Sequence, residues 1–434
     1  MTEAHLRRFA VSAATAAVFA ALYALYTFGQ QTLYRAILFD WGVAPFNFPF
    51  LDIHFVLSSL ECSRQGIDVY VTNPCDVLGR AFNYSPLLLW MAPIGIGSFA
   101  TNMSGLIVDG VFLLSLACLP PPRRISEAVI LLFGTLSTAT AFAVERANLD
   151  LVVFALAAVT GILLLRHGGA RIWAYAVIVP AALIKFYPAV LLILALRERP
   201  LPFIAITAVA ASALAAFVGI YHAELALVFA NLPRGYYFND RFGAGDLPNG
   251  LATLFPAIPP FPVLAALVIA AGSGMVALAL RGSLRAVFHL LDSAESTFLV
   301  IGCALMVGCF FTGQSIGYRG VFVIFALPGL FALARIAESS FIRVLFSVSG
   351  FLAIFLLWGE FFRLAIGRAI DDTWVNLVFW LGRELAWWWL IAVMGALLLR
   401  FALDSEIGRR LGCALSARGT DDYRQKNIRV DASS

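Results

Sequence analysis

Charge is scarce in this chain. Only 13% of its 434 residues are Asp, Glu, Lys or Arg, and two of them are lysines, Lys185 and Lys426. So little charge cannot cover a soluble domain that is 61% hydrophobic and has a mean hydropathy of +0.88. That balance excludes an ordinary water-soluble globule and fits a protein whose solvent is lipid. The formal net charge is +4, but the arginines are scattered among short polar segments, so no basic tract for nucleic acid is present. No Cys/His spacing suggests zinc, and no paired-aspartate signature of nucleotide-sugar binding stands out.

What is present is a series of long apolar runs. They lie near 9–28, 104–119, 125–142, 149–166, 201–220, 260–280, 296–312, 319–335, 341–358 and 384–400. Two more, 86–100 and 172–196, are interrupted by Pro93 and by Lys185 with Pro188. The expectation is an all-α polytopic membrane protein, a bundle of about 10–12 transmembrane or re-entrant helices over residues 1–400. A polar tail, 401–434, follows. The first run comes after "MTEAHLRR" and lacks a small-residue cleavage site, so it reads as a retained helix.

Basic residues near span ends favour the cytoplasm. Arg7, Arg8, Arg123, Arg124, Arg166, Arg171, Arg197, Arg199, Arg281, Arg285, Arg335, Arg343 and Arg400 all reach it only if 86–100 and 172–196 do not cross fully. Each then reads as a re-entrant or half-helix pair. Ten crossings place both termini in the cytoplasm, and 29–85 and 221–258 become the long outer loops. Cys62 and Cys75 share the first of these, so a disulfide between them is expected in an oxidising compartment such as the bacterial periplasm. Cys118, Cys303, Cys309 and Cys413 read as packing or free thiols.

The motif-like polar residues gather in or beside those loops. "LDIHFVLSSLECSRQ" (51–65) reads as an amphipathic helix on the membrane surface, its apolar positions Ile53, Phe55, Val56, Leu57 and Leu60 packing on the bundle and Asp52 near its N-terminus. That carboxylate either matches the helix dipole or, pointing into a cavity, serves as a general base. "GIDVYVTNPCDVLGRAFNYSP" (66–86) carries turn chemistry in Asp68 and Asp76, with Tyr84 placed at a cavity mouth. "ERANLDL" (145–151) offers Glu145 and Arg146, as an ion pair or as site residues, then Asn148 and Asp150, one of which caps the next helix. In "ALIKFYP" (182–188), Lys185 sits in apolar surroundings beside a helix breaker. It either snorkels to an interface or points into a cavity to hold an anion such as a lipid phosphate. "NLPRGYYFNDRFGAGDLPNG" (231–250) supplies Arg234 and Arg241 as bidentate phosphate clamps, and "GQSIGYRG" (313–320) supplies Tyr318 and Arg319. Trp387–Trp389 reads as an interfacial aromatic belt.

The order of Asp52, "GIDVYVTNPCD", "NYSP", "ERANLDL", "ALIKFYP" and "GYRGVFVIFALP" resembles bacterial GT-C glycosyltransferases over about residues 40–400. The nearest group is glycosyltransferase family 87 with its uncharacterised relatives, which includes polyprenyl-phosphate-mannose-dependent mannosyltransferases and arabinofuranosyltransferases. The resemblance implies a GT-C-like bundle in the bacterial inner membrane and an inverting transferase with a periplasmic active site. The donor would be a polyprenyl-phosphate-linked sugar and the acceptor a cell-envelope lipid or glycan. Asp52 would be the base. Lys185 and Arg319 would contact the donor phosphate, and Tyr84 and Asn148 would line the cavity. "NPCD" and "GYRG" belong more to the uncharacterised relatives, so the sugar's identity does not transfer. No cofactor is required and nothing demands a divalent metal. Two other readings of the residues stand beside it: a transporter or flippase of an amphipathic substrate, and an O-antigen-type polymerase.

Overall fold

A computed structural model describes residues 3–166, 168–232, 235–370 and 372–410. Those residues form an all-α membrane protein. Its regular elements are α1 (Glu3–Thr27), α2 (Gln31–Asp40), α3 (Leu51–Arg64), α4 (Pro86–Leu89), α5 (Thr101–Ser115), α6 (Ile125–Thr135), α7 (Thr138–Arg146), α8 (Leu149–Leu164) and α9 (Ala170–Lys185). They continue with α10 (Pro200–Ile220), α11 (His222–Ala230), α12 (Asp246–Leu254), α13 (Pro260–Ala279), α14 (Gly282–Phe288), α15 (Ser293–Thr312), α16 (Val323–Ile336), α17 (Ser340–Leu357), α18 (Gly359–Ala369) and α19 (Thr373–Asp404). The strand content is one pair of two-residue strands, β1 (Arg241–Phe242) and β2 (Ser315–Ile316), antiparallel with Arg241 opposite Ile316.

Eight helical stretches among the described residues are long and apolar enough to cross a membrane, and α6 with α7 makes a ninth, bent by 46°. The bend falls at Ser137, whose hydroxyl caps α7 by accepting from Thr140 N. These stretches coincide with nine of the apolar runs in the sequence, and the tenth run is α8, a shorter apolar helix. Backbone polar groups have no partner in hydrocarbon, which is why each run closes its hydrogen bonds within a helix. The chain's use of its surface is uneven. α15 and α16 are mostly enclosed by other helices, whereas α10 and α13 present most of their surface outward. Lipid tails are as apolar as leucine, so close packing holds such a bundle together more than water exclusion does. Gly302 shows how: a Cβ there would sit 2.7 Å from Ala326 N, so only glycine lets α15 and α16 approach this closely.

The interrupted run 172–196 forms a hairpin. α9 rises to Lys185, the chain turns at Phe186, and a 3-10 helix over Tyr187–Arg197 returns against α9. At about 1.5 Å and 2.0 Å per residue the two legs are roughly 24 and 22 Å long, short of a hydrocarbon core of about 30 Å. The other interrupted run, 86–100, makes only α4 and two 3-10 turns.

The basic residues at helix ends collect at one end of the bundle. Arg7 donates to Arg123 O and Arg8 to Leu119 O; Arg123 pairs with Glu295 at 3.1 Å, and Arg335 with Glu127. Arg197 reaches Thr297 at 2.6 Å and lies over the Phe401 ring near the end of α19. The start of α1 and the end of α19 therefore share that end.

The apolar positions of α3 expected to pack on the bundle, Ile53, Phe55, Val56, Leu57 and Leu60, are all buried, with α5 and α7 packed against the helix; Ser58 and Ser59 are buried too, because 65–100 folds over the helix. One local expectation needs correction: Trp387 and Trp388 are not a belt. Both are buried in mid-α19, Trp387 edge-on to Phe242 at 4.7 Å and Trp388 to Phe310 at 5.0 Å. Arg234 and the tail beyond residue 410 lie outside the described residues.

Candidate functional site

At the end opposite the arginine-rich face, a cleft opens among α3, the 66–86 loop, the α9 hairpin, α11 and the Thr312–Arg319 segment. Its empty volume is about 1090 Å³, including the part open to solvent. Asp52, Tyr84, Lys185, Arg241, Tyr318 and Arg319 all line it. Residues spread over 268 positions of sequence thus meet in one cavity because the helices that carry them all end there.

Asp52 stands in the first turn of α3, where the helix dipole favours a carboxylate. It accepts from Asn148 Nδ2 at 2.5 Å, and Arg80 Nη1 lies 3.9 Å from its other oxygen. Asn148 is the N-cap of α8, its Oδ1 accepting from Asp150 N at 2.9 Å and from Lys185 Nζ at 3.3 Å. It therefore ties the acidic side of the cleft to the cationic side. Asp150, on the next turn inward, is fully buried. It meets Lys185 Nζ at 2.9 Å, accepts from the Tyr187 hydroxyl at 2.8 Å and has Arg319 Nε at 3.8 Å. Lys185 also lies 4.9 Å over the Tyr84 ring, and Arg319 5.2 Å over Tyr187.

Arg80 forms the far wall. Its Nε and Nη2 donate to the two oxygens of Asp76 at 2.9 and 3.0 Å, and its guanidinium lies 4.3 Å from the Phe55 ring. Burial pushes the Asp76 carboxyl up, but the Arg80 hydrogen bonds and charge outweigh it and hold Asp76 below its ordinary value. Burial, followed by the charge of Asp52, raises the Tyr84 phenol well above its ordinary value, so that hydroxyl stays protonated. Cys62 and Cys75 are bridged, their Cα atoms 5.8 Å apart, which staples the loop bearing Asp76 and Arg80 to the end of α3. On the opposite side, β1 and β2 clip the 235–246 segment to the stretch before Arg319. Gln314 reinforces the clip, accepting from Gly235 N at 3.2 Å and donating to Asp246 at 2.7 Å. Arg241 projects from that clip, its Nε buried without a hydrogen-bond partner among the described residues.

Backbone strain clusters at the same place. The non-glycine residues with positive φ among the described ones are Phe50 (69°), Ala147 (44°) and Phe186 (60°). They stand two residues before Asp52, directly before Asn148 and directly after Lys185. Left-handed backbone at bulky side chains costs of order 1–3 kcal/mol each and persists where a site needs it.

Four cations line the cleft, Arg80, Lys185, Arg241 and Arg319, against one lining carboxylate, Asp52. Counting Asp76 and Asp150 behind them, the group carries one net positive charge. Such a cluster suits an anion, with one carboxylate within reach of it and the Phe55, Tyr84 and Tyr318 rings as walls; Asp246, bonded to the lining Gln314, stands behind Arg241. Among the described residues no group of three or more His, Cys, Asp or Glu could hold a metal.

Glu145 and Arg146 do not join this cleft. Arg146 Nε pairs with Glu145 at 3.0 Å and its Nη2 donates to Ala44 O at 3.0 Å. The helix periodicity explains it: Glu145 lies at the end of α7, and the left-handed Ala147 then turns the chain so that Asn148, not Glu145, faces Asp52. Two members were given no site role from sequence, although Arg80 is expected on the same outer face as Asp52 and Arg319. Arg80 had a signal, the i,i+4 spacing from Asp76 inside the stapled loop. Asp150 read as a capping residue had none, since only the tertiary fold brings Lys185 and Arg319 to it.

No family model matches the chain, and no curated protein or solved structure shows significant similarity to it.

Proposed function

We propose that the chain is a membrane glycosyltransferase that moves a sugar from a polyprenyl-phosphate donor to a lipid or glycan acceptor of the cell envelope. The observation that carries this reading is the cleft itself: one reachable carboxylate, Asp52, faces a cluster of cations with one net positive charge, at a bundle end away from the arginine-rich face. A polyprenyl-phosphate sugar is a phosphodiester with one negative charge, and its leaving group needs no further activation. In the reaction, an acceptor hydroxyl oxygen bonds to the anomeric carbon, the bond from that carbon to the phosphate oxygen breaks, and polyprenyl phosphate departs. Asp52 takes the hydroxyl proton, and Lys185, Arg319 and Arg80 hold the phosphate as its charge grows. Attack from the face opposite the leaving group inverts the anomeric centre. Asn148 positions Asp52 through its 2.5 Å hydrogen bond.

Supporting the side assignment, the arginine-rich end suits the cytoplasm and the disulfide an oxidising compartment. The reading therefore places the cleft at the periplasmic face of a bacterial inner membrane, with both termini cytoplasmic. The resemblance to GT-C enzymes of family 87 points the same way.

The test uses purified protein in lipid nanodiscs with a panel of polyprenyl-phosphate sugars and a crude envelope acceptor fraction. Release of polyprenyl phosphate by wild type, cut at least 100-fold by Asp52→Asn with donor binding intact, is the expected result. Release that survives Asp52→Asn moves the base elsewhere. No release with any donor, alongside solute or lipid movement across vesicles, replaces the transferase with a transporter.

A further inference from the structure

A second cavity, with an empty volume of about 790 Å³, lies on the other side of the Phe50–Asp52 segment, among α1, α2, α5 and α7. Its walls are apolar apart from four groups: Asp109 of α5, Glu145 of α7 and the hydroxyls of Tyr23 of α1 and Tyr34 of α2. Asp109 is 7% exposed, and its Oδ1 is buried with no hydrogen-bond partner among the described residues. Glu145 is 4% exposed; its carboxylate pairs with Arg146 Nε and accepts from the Phe46 backbone, and Arg146 Nη2 donates to Ala44 O. Among the described residues the charge acting on Asp109 is that of Glu145, and no cation pairs with it.

A carboxyl left unpartnered at membrane depth is costly, and it persists where something outside the protein completes it. The occupant's chemistry follows from the walls. Two carboxyl groups without a free cation refuse an anionic head and accept one that donates hydrogen bonds. The cavity also opens sideways between α1 and α5, where Ala20 and Leu106 are exposed on faces that meet lipid, with Leu106 46% exposed. Such a window admits an aliphatic chain. Burial, then the charges of Glu145 and Asp109, pushes the Tyr34 phenol far above its ordinary value, so Tyr34 remains a donor and an acceptor at any working pH.

We propose that this cavity binds an amphiphile whose aliphatic chain lies between α1 and α5 and whose uncharged or cationic head donates hydrogen bonds to Asp109 and Glu145. The proposal does not depend on the transferase reading. The two sites have opposite electrostatic demands; Phe50 N–H donates to Glu145 O at 2.6 Å between them, and the Asp52 charge is felt at Glu145.

The experiment uses the full chain in nanodiscs and three probes with a diazirine in the alkyl chain: a monoacylglycerol, an alkylamine and an alkyl phosphate. Cross-linked peptides are mapped after illumination. Saturable labelling of the α1 and α5 peptides by the monoacylglycerol, the alkylamine or both, and not by the alkyl phosphate, supports the site and identifies the head. Leu106→Trp, a change on an exposed face, is expected to cut that labelling at least ten-fold by filling the window. Asp109→Leu does the same by removing the acceptor, leaving labelling of the outward-facing α13 unchanged. Equal labelling by the alkyl phosphate, or α1 and α5 labelling that neither variant alters, overturns the proposal. Sugar-transfer activity is not the readout, so failure here leaves the cleft untouched.

Discussion

Asp150→Asn isolates the charge balance of the cleft. The substitution keeps the shape, and the Asn Oδ1 still accepts from the Tyr187 hydroxyl and Lys185; what is lost is the negative charge and the acceptor oxygen facing Arg319, where an NH2 group now stands. Asp150 is fully buried, 2.9 Å from Lys185 Nζ and 3.8 Å from Arg319 Nε, and neither cation is more than 14% exposed. At an effective dielectric near 20, Coulomb's law gives about 6 kcal/mol for the first contact and about 4 kcal/mol for the second, before desolvation. Desolvation of the carboxylate offsets much of that, and breaking a buried pair costs about 3–5 kcal/mol in measured cases. Two cations then face the cleft without their counter-charge. The variant is therefore expected to be less stable alone and to bind anions more tightly. The assay is the thermal midpoint by fluorescence size-exclusion, with and without farnesyl phosphate as a short prenyl phosphate probe. A lowered midpoint is expected, together with a larger rescue by farnesyl phosphate than in wild type and an affinity at least ten-fold higher. Adding Lys185→Met to Asp150→Asn should recover part of the midpoint and abolish the gain in affinity. A variant with an unchanged midpoint and unchanged farnesyl phosphate affinity would refute the electrostatic account of the site.

Two further outcomes test the frame around the cleft. Gly42 has φ +88°, and a Cβ there would lie 2.7 Å from Phe361 N and 2.8 Å from Phe361 Cα, backbone atoms of α18 that cannot step aside cheaply. Gly42→Ala should therefore cost about 2–4 kcal/mol, combining left-handed strain with overpacking, and a thermal midpoint equal to wild type would contradict it. Burial pushes the Asp246 carboxyl up to about 6, despite the hydrogen bond from Gln314 and the nearby Arg383 and Arg241. A raised acid binds its proton more tightly in the folded state than in the unfolded one, so the folded protein loses stability as pH climbs from about 4 to about 6, and the deficit then stays constant. Asp246→Asn should be more stable than wild type at pH 7.5, by at most about 3 kcal/mol, and show only about a third of that gain at pH 4.5. Some slope should remain, because burial and the Glu360 charge push Asp240, in the same clip, up to about 7. Denaturation midpoints at the two pH values decide it, and parallel shifts in variant and wild type would exclude Asp246 as the cause.

Composition alone determined that this chain lives in a bilayer, because no arrangement of so few charges covers so much apolar surface. Run lengths located most spans to within a few residues, since helix rise and hydrocarbon thickness are fixed quantities, but the last helix begins at Thr373, eleven residues before the apolar run at 384–400. Proline and lysine inside 172–196 marked the hairpin, because a helix breaker beside an ammonium group is a local fact. The 62–75 bridge was likewise legible from two cysteines in one polar loop. What the sequence left open was which apolar surface meets protein and which meets lipid. Hydropathy has the same value for both, so Trp387 and Trp388 looked like a belt until packing put them inside, and nothing marked Ser58 and Ser59 of α3 as buried. The same gap hid Asp150, whose partners lie 35 and 169 positions away, and sent Glu145 to a different cavity from its neighbour Asn148 through the single left-handed residue between them. Charges separated in the chain acquire a partner only when helix ends converge, and that convergence is a property of the tertiary structure.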